Sequence, residues 1–248
     1  MRCWPALNSE DRDGWLVRAA GGSTRHSNSV WAQGSREKQH VSAKLEAVEK
    51  FYGQRGLPPT FYVSPGIRPQ GLDAVLEQRG YYKEGLTIVH TGLVEDIASG
   101  AASSPDVSVE LVEELDDGWL DAHFRCARRS GSDARNRASI MRRIEPSAAF
   151  ASAIIGNEVV AVAMGVLEHG WLGFYNVVTD PQFRRHGASR ALLTLLGEWA
   201  LGQGAKHAHL GVEEDNLAAI ALYQQLSMTP TYRYHYRSLS AHRPPVSR

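Results

Sequence analysis

The stretch from Trp171 to Gly202 constrains this chain most, because it dictates a strand, a stop, a tight turn and a helix in that order. Trp171 to Thr179 is β-branched and aromatic with little charge, which reads as a mostly buried strand. Pro181 cannot continue a central strand and ends it. Leu192, Leu193, Leu196 and Trp199 then fall on one face of a helix, and Gly202 and Gly204 stop it. Between strand and helix stand Arg184, Arg185, His186, Gly187, Ala188 and Ser189. The first N–H groups of a helix have no intrahelical partner, and the helix dipole adds partial positive charge there. Gly187 and the small Ala188 and Ser189 let a ligand reach that backbone, while Arg184, Arg185 and His186 surround it with donors. A turn of this kind suits a pyrophosphate.

A second block follows. His207 to Val212 alternates as a strand does, and Asn216 to Leu226 reads as a helix with Asn216 at its N-cap. Together the two blocks resemble the acetyl-CoA motif of the GNAT superfamily of N-acetyltransferases. The usual loop is Gln/Arg-x-x-Gly-x-Gly/Ala; here Arg184 and Gly187 match, and Ser189 stands where Gly or Ala is commoner. The usual helix is Asn-x-x-Ala-x-x-Leu-Tyr-x-x-Leu-Gly-Phe; Asn216, Ala219, Leu222, Tyr223 and Leu226 match, with Ser227-Met228 replacing Gly-Phe. The resemblance covers the C-terminal part of the chain. It implies a mixed α/β sheet of GNAT type flanked by helices, preceded here by a smaller α/β domain.

It also implies roles for particular residues. A splayed central strand would offer backbone N–H groups near Val177, Val178 and Thr179 to the pantetheine arm and the acetyl carbonyl, an oxyanion-hole role. Arg184 to Ser189 would hold the pyrophosphate, with Asn216 as a secondary contact. Tyr223 is the candidate general acid, because a phenol with pKa near ~10 stays protonated at neutral pH and can protonate a departing thiolate. In relatives similar to the ribosomal-protein alanine acetyltransferase a Glu precedes the Asn by five positions; here that position is Gly211. Glu168, His169 and Glu213 are the nearest other candidates for a base, each more simply a solvated turn residue. The segment Arg25 to Trp31 packs donors and an aromatic together, and reads either as a closure of the substrate side or as a polar turn.

Composition narrows the rest. Basic and acidic residues balance at 27 each, so no electrostatic footprint for nucleic acid or an anionic membrane is expected. Cys3 and Cys126 form no CxxC pair, which excludes a disulfide framework or zinc site from the reading and fits a reducing cytoplasm. Met1 to Gly14 lacks an apolar h-region, and the longest apolar run, Val159 to Leu167, is too short to span a bilayer. The expected organisation is an accessory α/β domain over 1–95, a small, polar linker over 96–106, a GNAT domain over 107–240 and a disordered tail over 241–248. Leu76-x-x-Arg79-Gly80-Tyr81 echoes the end of the family's helix, so the first domain reads either as a degenerate GNAT-like copy or as a plain accessory domain. The expected function is acetyl transfer from acetyl-CoA to a primary amine of a small molecule or amino acid. The alternatives are a non-catalytic acyl-CoA sensor and a protein N-terminal or lysine acetyltransferase. No metal, nucleic acid or membrane partner is expected, and a homodimer is an admissible assembly.

Overall fold

The structure is a computed structural model that describes residues 2–34, 40–100 and 105–239. The first elements in chain order are β1 (Asn8–Arg12), β2 (Trp15–Ala19), β3 (Trp31–Ala32), α1 (Val41–Gly53), β4 (Thr60–Val63), α2 (Leu72–Gln78), β5 (Tyr82–Leu93) and α3 (Val94–Ala98). Then come β6 (Ser108–Val112), α4 (Asp117–Cys126), α5 (Gly131–Met141), β7 (Ala148–Ile155), β8 (Glu158–Glu168) and β9 (Trp171–Thr179). A 3₁₀ turn (Pro181–Phe183), α6 (Ala188–Gly202), β10 (His207–Glu213), α7 (Leu217–Gln225) and β11 (Thr229–Ser238) complete the chain. Two compact units result: Ala6–Thr87 with Arg233–Arg248, and Met1–Pro5 with Ile88–Tyr232. The division falls inside β5 and inside β11. The tail expected over 241–248 lies outside the described residues.

In the smaller unit, β1, β2 and β3 form an antiparallel meander. Leu45, Val48, Phe51 and Tyr52 recur at helical spacing on α1, and all four are buried in one core with Trp15, Val17 and Phe61. The Tyr52 hydroxyl donates to Arg18 O at 2.6 Å, which satisfies a phenol that burial would otherwise strand. β4 pairs antiparallel with the end of β11, from His235↔Val63 to Ser238↔Thr60.

In the larger unit the strand order is β6-β7-β8-β9-β10-β5-β11. Neighbours from β6 to β9 run antiparallel, whereas β9 and β10 run parallel, so the sheet is mixed. Leu192, Leu193 and Leu196 of α6 are fully buried against one face, with Ala161, Ala163, Leu172 and Phe174. Burying each leucine contributes roughly 1.5–3 kcal/mol. Trp119 of α4 packs edge-on to Phe150 on the other face and donates to Ala151 O at 3.1 Å. Asp116 caps α4 by accepting from Trp119 N at 2.7 Å.

Two stretches differ from the sequence expectation. Arg128 to Arg137, rich in Arg, Ser, Gly and Asp, reads in sequence as a loop before a helix around Ala138 to Arg143, but it is largely α5, where Asp133 pairs with both Arg129 and Arg137, each four residues away, and Ile140 and Met141 anchor the helix in the interior. The first residues of the expected linker belong to α3, whose Val94 and Ile97 are fully buried in the same core as α6. Two apolar residues three apart suffice to seat one helical turn, a signal that the small residues after Ser99 obscure.

Candidate active site

The site begins with a loss of pairing. β9 and β10 are in register at His207↔Trp171, Ala208↔Leu172 and His209↔Gly173, and there the pairing ends, although β9 runs on to Thr179 and β10 to Glu213. On its other edge β9 stays paired with β8, through a register shift between Val162 and Met164. The extra residue is Asn176, whose φ of 51° is left-handed. A β-bulge of this kind bends a strand away from its neighbour. Beyond it, Asp180 N donates to Val160 O at 2.8 Å, toward β8. Alternation along an extended strand therefore turns the N–H groups of Val177 and Thr179 the other way, into the gap that β10 has left. Val178 faces β8.

The chain next enters the turn that precedes α6. Arg185 (φ 72°) and Gly187 (φ 85°) are both left-handed, and Gly187 occupies the N-cap of α6 without any side-chain cap. Ala191 N already bonds Gly187 O at 3.0 Å, so the N–H groups of Ala188, Ser189 and Arg190 are those left over at the helix start. The Ser189 hydroxyl is 2.6 Å from the Thr179 hydroxyl, tying the end of β9 to the first turn of α6. Its hydroxyl is thus a strut between elements.

Asn216 caps α7 by accepting from Ala219 N at 3.2 Å, and α7 carries Tyr223, which is 7% exposed and pushed up to about 12 by burial. One cavity of 660 Å³ brings these pieces together. Its walls are Val177, Val178 and Thr179 from β9; Arg184, Arg185 and Gly187 from the turn; Ala188, Ser189 and Arg190 from α6; and Asn216 and Tyr223 from the α7 segment. His186 is not among them; its ring Nδ1 sits 3.1 Å from Arg184 O within the turn.

The other singled-out residues lie elsewhere. Glu168 pairs with Trp171 at the opposite end of β9, eight residues or ~26 Å of strand from Thr179, and is engaged by Arg2 Nε at 2.9 Å and Cys3 Sγ at 3.1 Å. His169 is in the same turn, and Glu213 ends β10 without lining the cavity. Arg25 to Trp31 is a fastened turn of the smaller unit: Asn28 Oδ1 accepts from Ala20 N and Gly22 N at 2.7 and 3.0 Å.

Residues 1–237 match the family described as the C-terminal region of the probable histone acetyltransferase Rv0428c. The uncharacterized N-acetyltransferase YobR of Bacillus subtilis (strain 168) is 30% identical over 234 residues, covering 94% of this chain and 93% of that protein. The chain belongs to the GNAT superfamily of N-acetyltransferases. The probable histone acetyltransferase Rv0428c of Mycobacterium tuberculosis is 26% identical over 221 residues, and the match spans 65% of that protein's length. A GCN5-related N-acetyltransferase from Kribbella flavida shares the fold with a TM-score of 0.72 at 15% identity, over 94% of this chain and 89% of that one. A tandem GNAT protein from the clavulanic acid biosynthesis pathway does so with a TM-score of 0.66 at 13% identity, over 84% and 72%.

GNAT acetyltransferases use an acyl-CoA, and the residues here fit one. The helix start offers unpaired N–H groups and the parted β9 edge offers backbone donors. Arg190 adds a buried Nε without a partner among the described residues, on the cavity wall. Asn176, at the bulge of β9, and Arg190, on the cavity wall, are residues of this arrangement that sequence reading did not name. An Asn inside an apolar strand, a residue type that tolerates left-handed φ, was the available signal for the first. For the second the only signal was an Arg inside the first turn of the expected helix. Among the described residues no cluster of three or more His, Cys, Asp or Glu is placed to hold a metal, and no helix is long and apolar enough to cross a membrane.

Proposed function

We propose that this acetyltransferase moves the acetyl group of acetyl-CoA to the primary amine of a small molecule or amino acid. The observation that carries this reading is the end of β9–β10 pairing at Gly173 and His209, taken with the capless N-terminus of α6 that follows β9 and its turn. The N–H groups of Ala188, Ser189 and Arg190, with Arg184 and Arg185, hold the pyrophosphate of the co-substrate. The vacated edge of β9 takes the place of a neighbouring strand for the pantetheine arm, and the N–H of Val177 or Thr179 polarises the acetyl carbonyl as its oxygen gains charge. Tyr223 keeps its proton at physiological pH and gives it to the sulfur as the C–S bond breaks. Holding thioester and amine together supplies much of the rate.

Gly211 supports a small acceptor over a protein N-terminus, because it stands where relatives similar to the ribosomal-protein alanine acetyltransferase carry a Glu. The Mycobacterium tuberculosis relative, a probable histone acetyltransferase, favours a second reading, acetylation of a protein. Release of CoA thiol from acetyl-CoA, followed with a panel of small amines and with a histone-tail peptide, separates the two. Turnover concentrated on small amines is the expected result. Turnover confined to the peptide replaces the acceptor, and CoA binding without turnover on any acceptor rejects catalysis.

A further inference from the structure

Position 211 of β10 carries no carboxylate to take the acceptor's proton, and the carboxylate that β10 does carry, Glu213, is its last residue. Ala208, Leu210 and Val212 enter the core shared with α6 and α7, so His209 and Gly211 face the opposite side of the sheet. On β9, Leu172 and Phe174 enter the same core, which puts Gly173 and Tyr175 on the face of His209. His209↔Gly173 is the last pair before the strands part, so His209 stands at the apex of the gap, outside the set of residues that line the cavity. A Cβ on Gly173 would lie 3.0 Å from His209 Nε2, 3.0 Å from the Tyr175 hydroxyl and 2.6 Å from the Tyr175 ring. Only glycine there lets Nε2 and the phenol oxygen converge. The Tyr175 ring meets His209 edge-on at 6.3 Å and 89°, and Trp4 stacks on it at 5.9 Å and 6°. Gly211, next on the face of His209, is exposed and puts no side chain between the imidazole and the parted backbone.

We propose that His209 is the general base that deprotonates the acceptor amine. The inference rests on the acetyl-transfer reading. The ammonium gives one proton to Nε2; the neutral nitrogen bonds the acetyl carbon; the C–S bond breaks and the sulfur takes the Tyr223 proton. The nitrogen's second proton restores the phenol through water and the imidazolium releases its proton to solvent, leaving amide, thiol and one proton. Burial holds the His209 imidazole below the usual histidine range, so it is neutral at pH 7 and able to accept. Around it stand Tyr175, with Trp171 on the same strand; His207 precedes it on β10, and Cys3, Glu168 and Arg2 lie past Tyr175.

The test is kinetic. His209→Gln should lower kcat/KM at pH 7 by about 10²–10⁴-fold, recover as pH rises in proportion to the neutral amine, and regain turnover with added imidazole, all with unchanged CoA affinity. An unchanged pH profile overturns the base while leaving acetyl transfer intact. Wild type alone supplies a second measurement should the variant not fold. With glycinamide and with butylamine, amines of different basicity, the acid limb of kcat should fall at one pH, below the ordinary histidine range. A limb that moves with the amine's own pKa overturns the proposal. Absence of turnover with every amine overturns the acetyl-transfer reading and the base with it.

Discussion

Tyr223 packs in the core of the larger unit and lines the cavity, and the proposed reaction draws on its hydroxyl. Its ring lies 6.2 Å from that of His90, and burial alone accounts for the raised pKa. Tyr223→Phe keeps the packing and removes only the donor, so melting temperature and CoA affinity should hold while kcat falls about 10²–10⁴-fold. The sign of the pH effect follows from the shift. A raised pKa keeps the phenol protonated further into alkali, so the acid role contributes no alkaline limb until pH approaches about 12. A wild-type limb near pH 10 that disappears in Tyr223→Phe would contradict the burial. Turnover within a few-fold of wild type would return the residue to the core and move the proton source to solvent. Ser189 illustrates the limit of reading residues alone. Its small size was legible, but its partner, the Thr179 hydroxyl, is visible only once β9 and α6 are brought together.

At the scale of elements, α7 separates a structural from a ligand-binding role. Asn216→Ala should cost about 1 kcal/mol in urea unfolding, since it strips the cap from Ala219 N, and should leave CoA affinity nearly unchanged. Lost affinity without lost stability would make Asn216 a contact first. The helices and strands around the site were legible because their periodicities are strong: the α6 leucines and the alternation of β10. The splay between β9 and β10 was legible only through the resemblance, because ladder pairing between distant segments leaves no local pattern. The bulge that produces it rests on one residue, Asn176. The first part of α5 went unseen because a segment with Arg at 128, 129, 135 and 137 looks solvated, whereas Asp133 ties two of those guanidiniums into pairs four residues apart.

At the scale of the molecule, chain order and compact units do not coincide. The larger unit takes Met1–Pro5 and the end of β5 from the N-terminal part of the chain, and Trp4 stacks on Tyr175 within it. Composition could not show this, since a strand shared between units has no linker. A chain beginning at Val107 therefore lacks β5, the neighbour of β10, and should be insoluble or molten by near-UV circular dichroism. A cooperative, CoA-binding fragment would contradict that. The central claim is that the parted β9 edge and the start of α6 form one acyl-CoA site. Calorimetry of acetyl-CoA with wild type and with Gly187→Val tests it most directly. The side chain would stand at the helix N–H groups, on a backbone of φ 85° that a β-branched residue resists, so folding is checked first by circular dichroism. The account predicts binding by wild type and at least about a hundredfold loss, roughly 2.7 kcal/mol, in the folded variant; equal affinity in the two, or no binding by wild type, would contradict it.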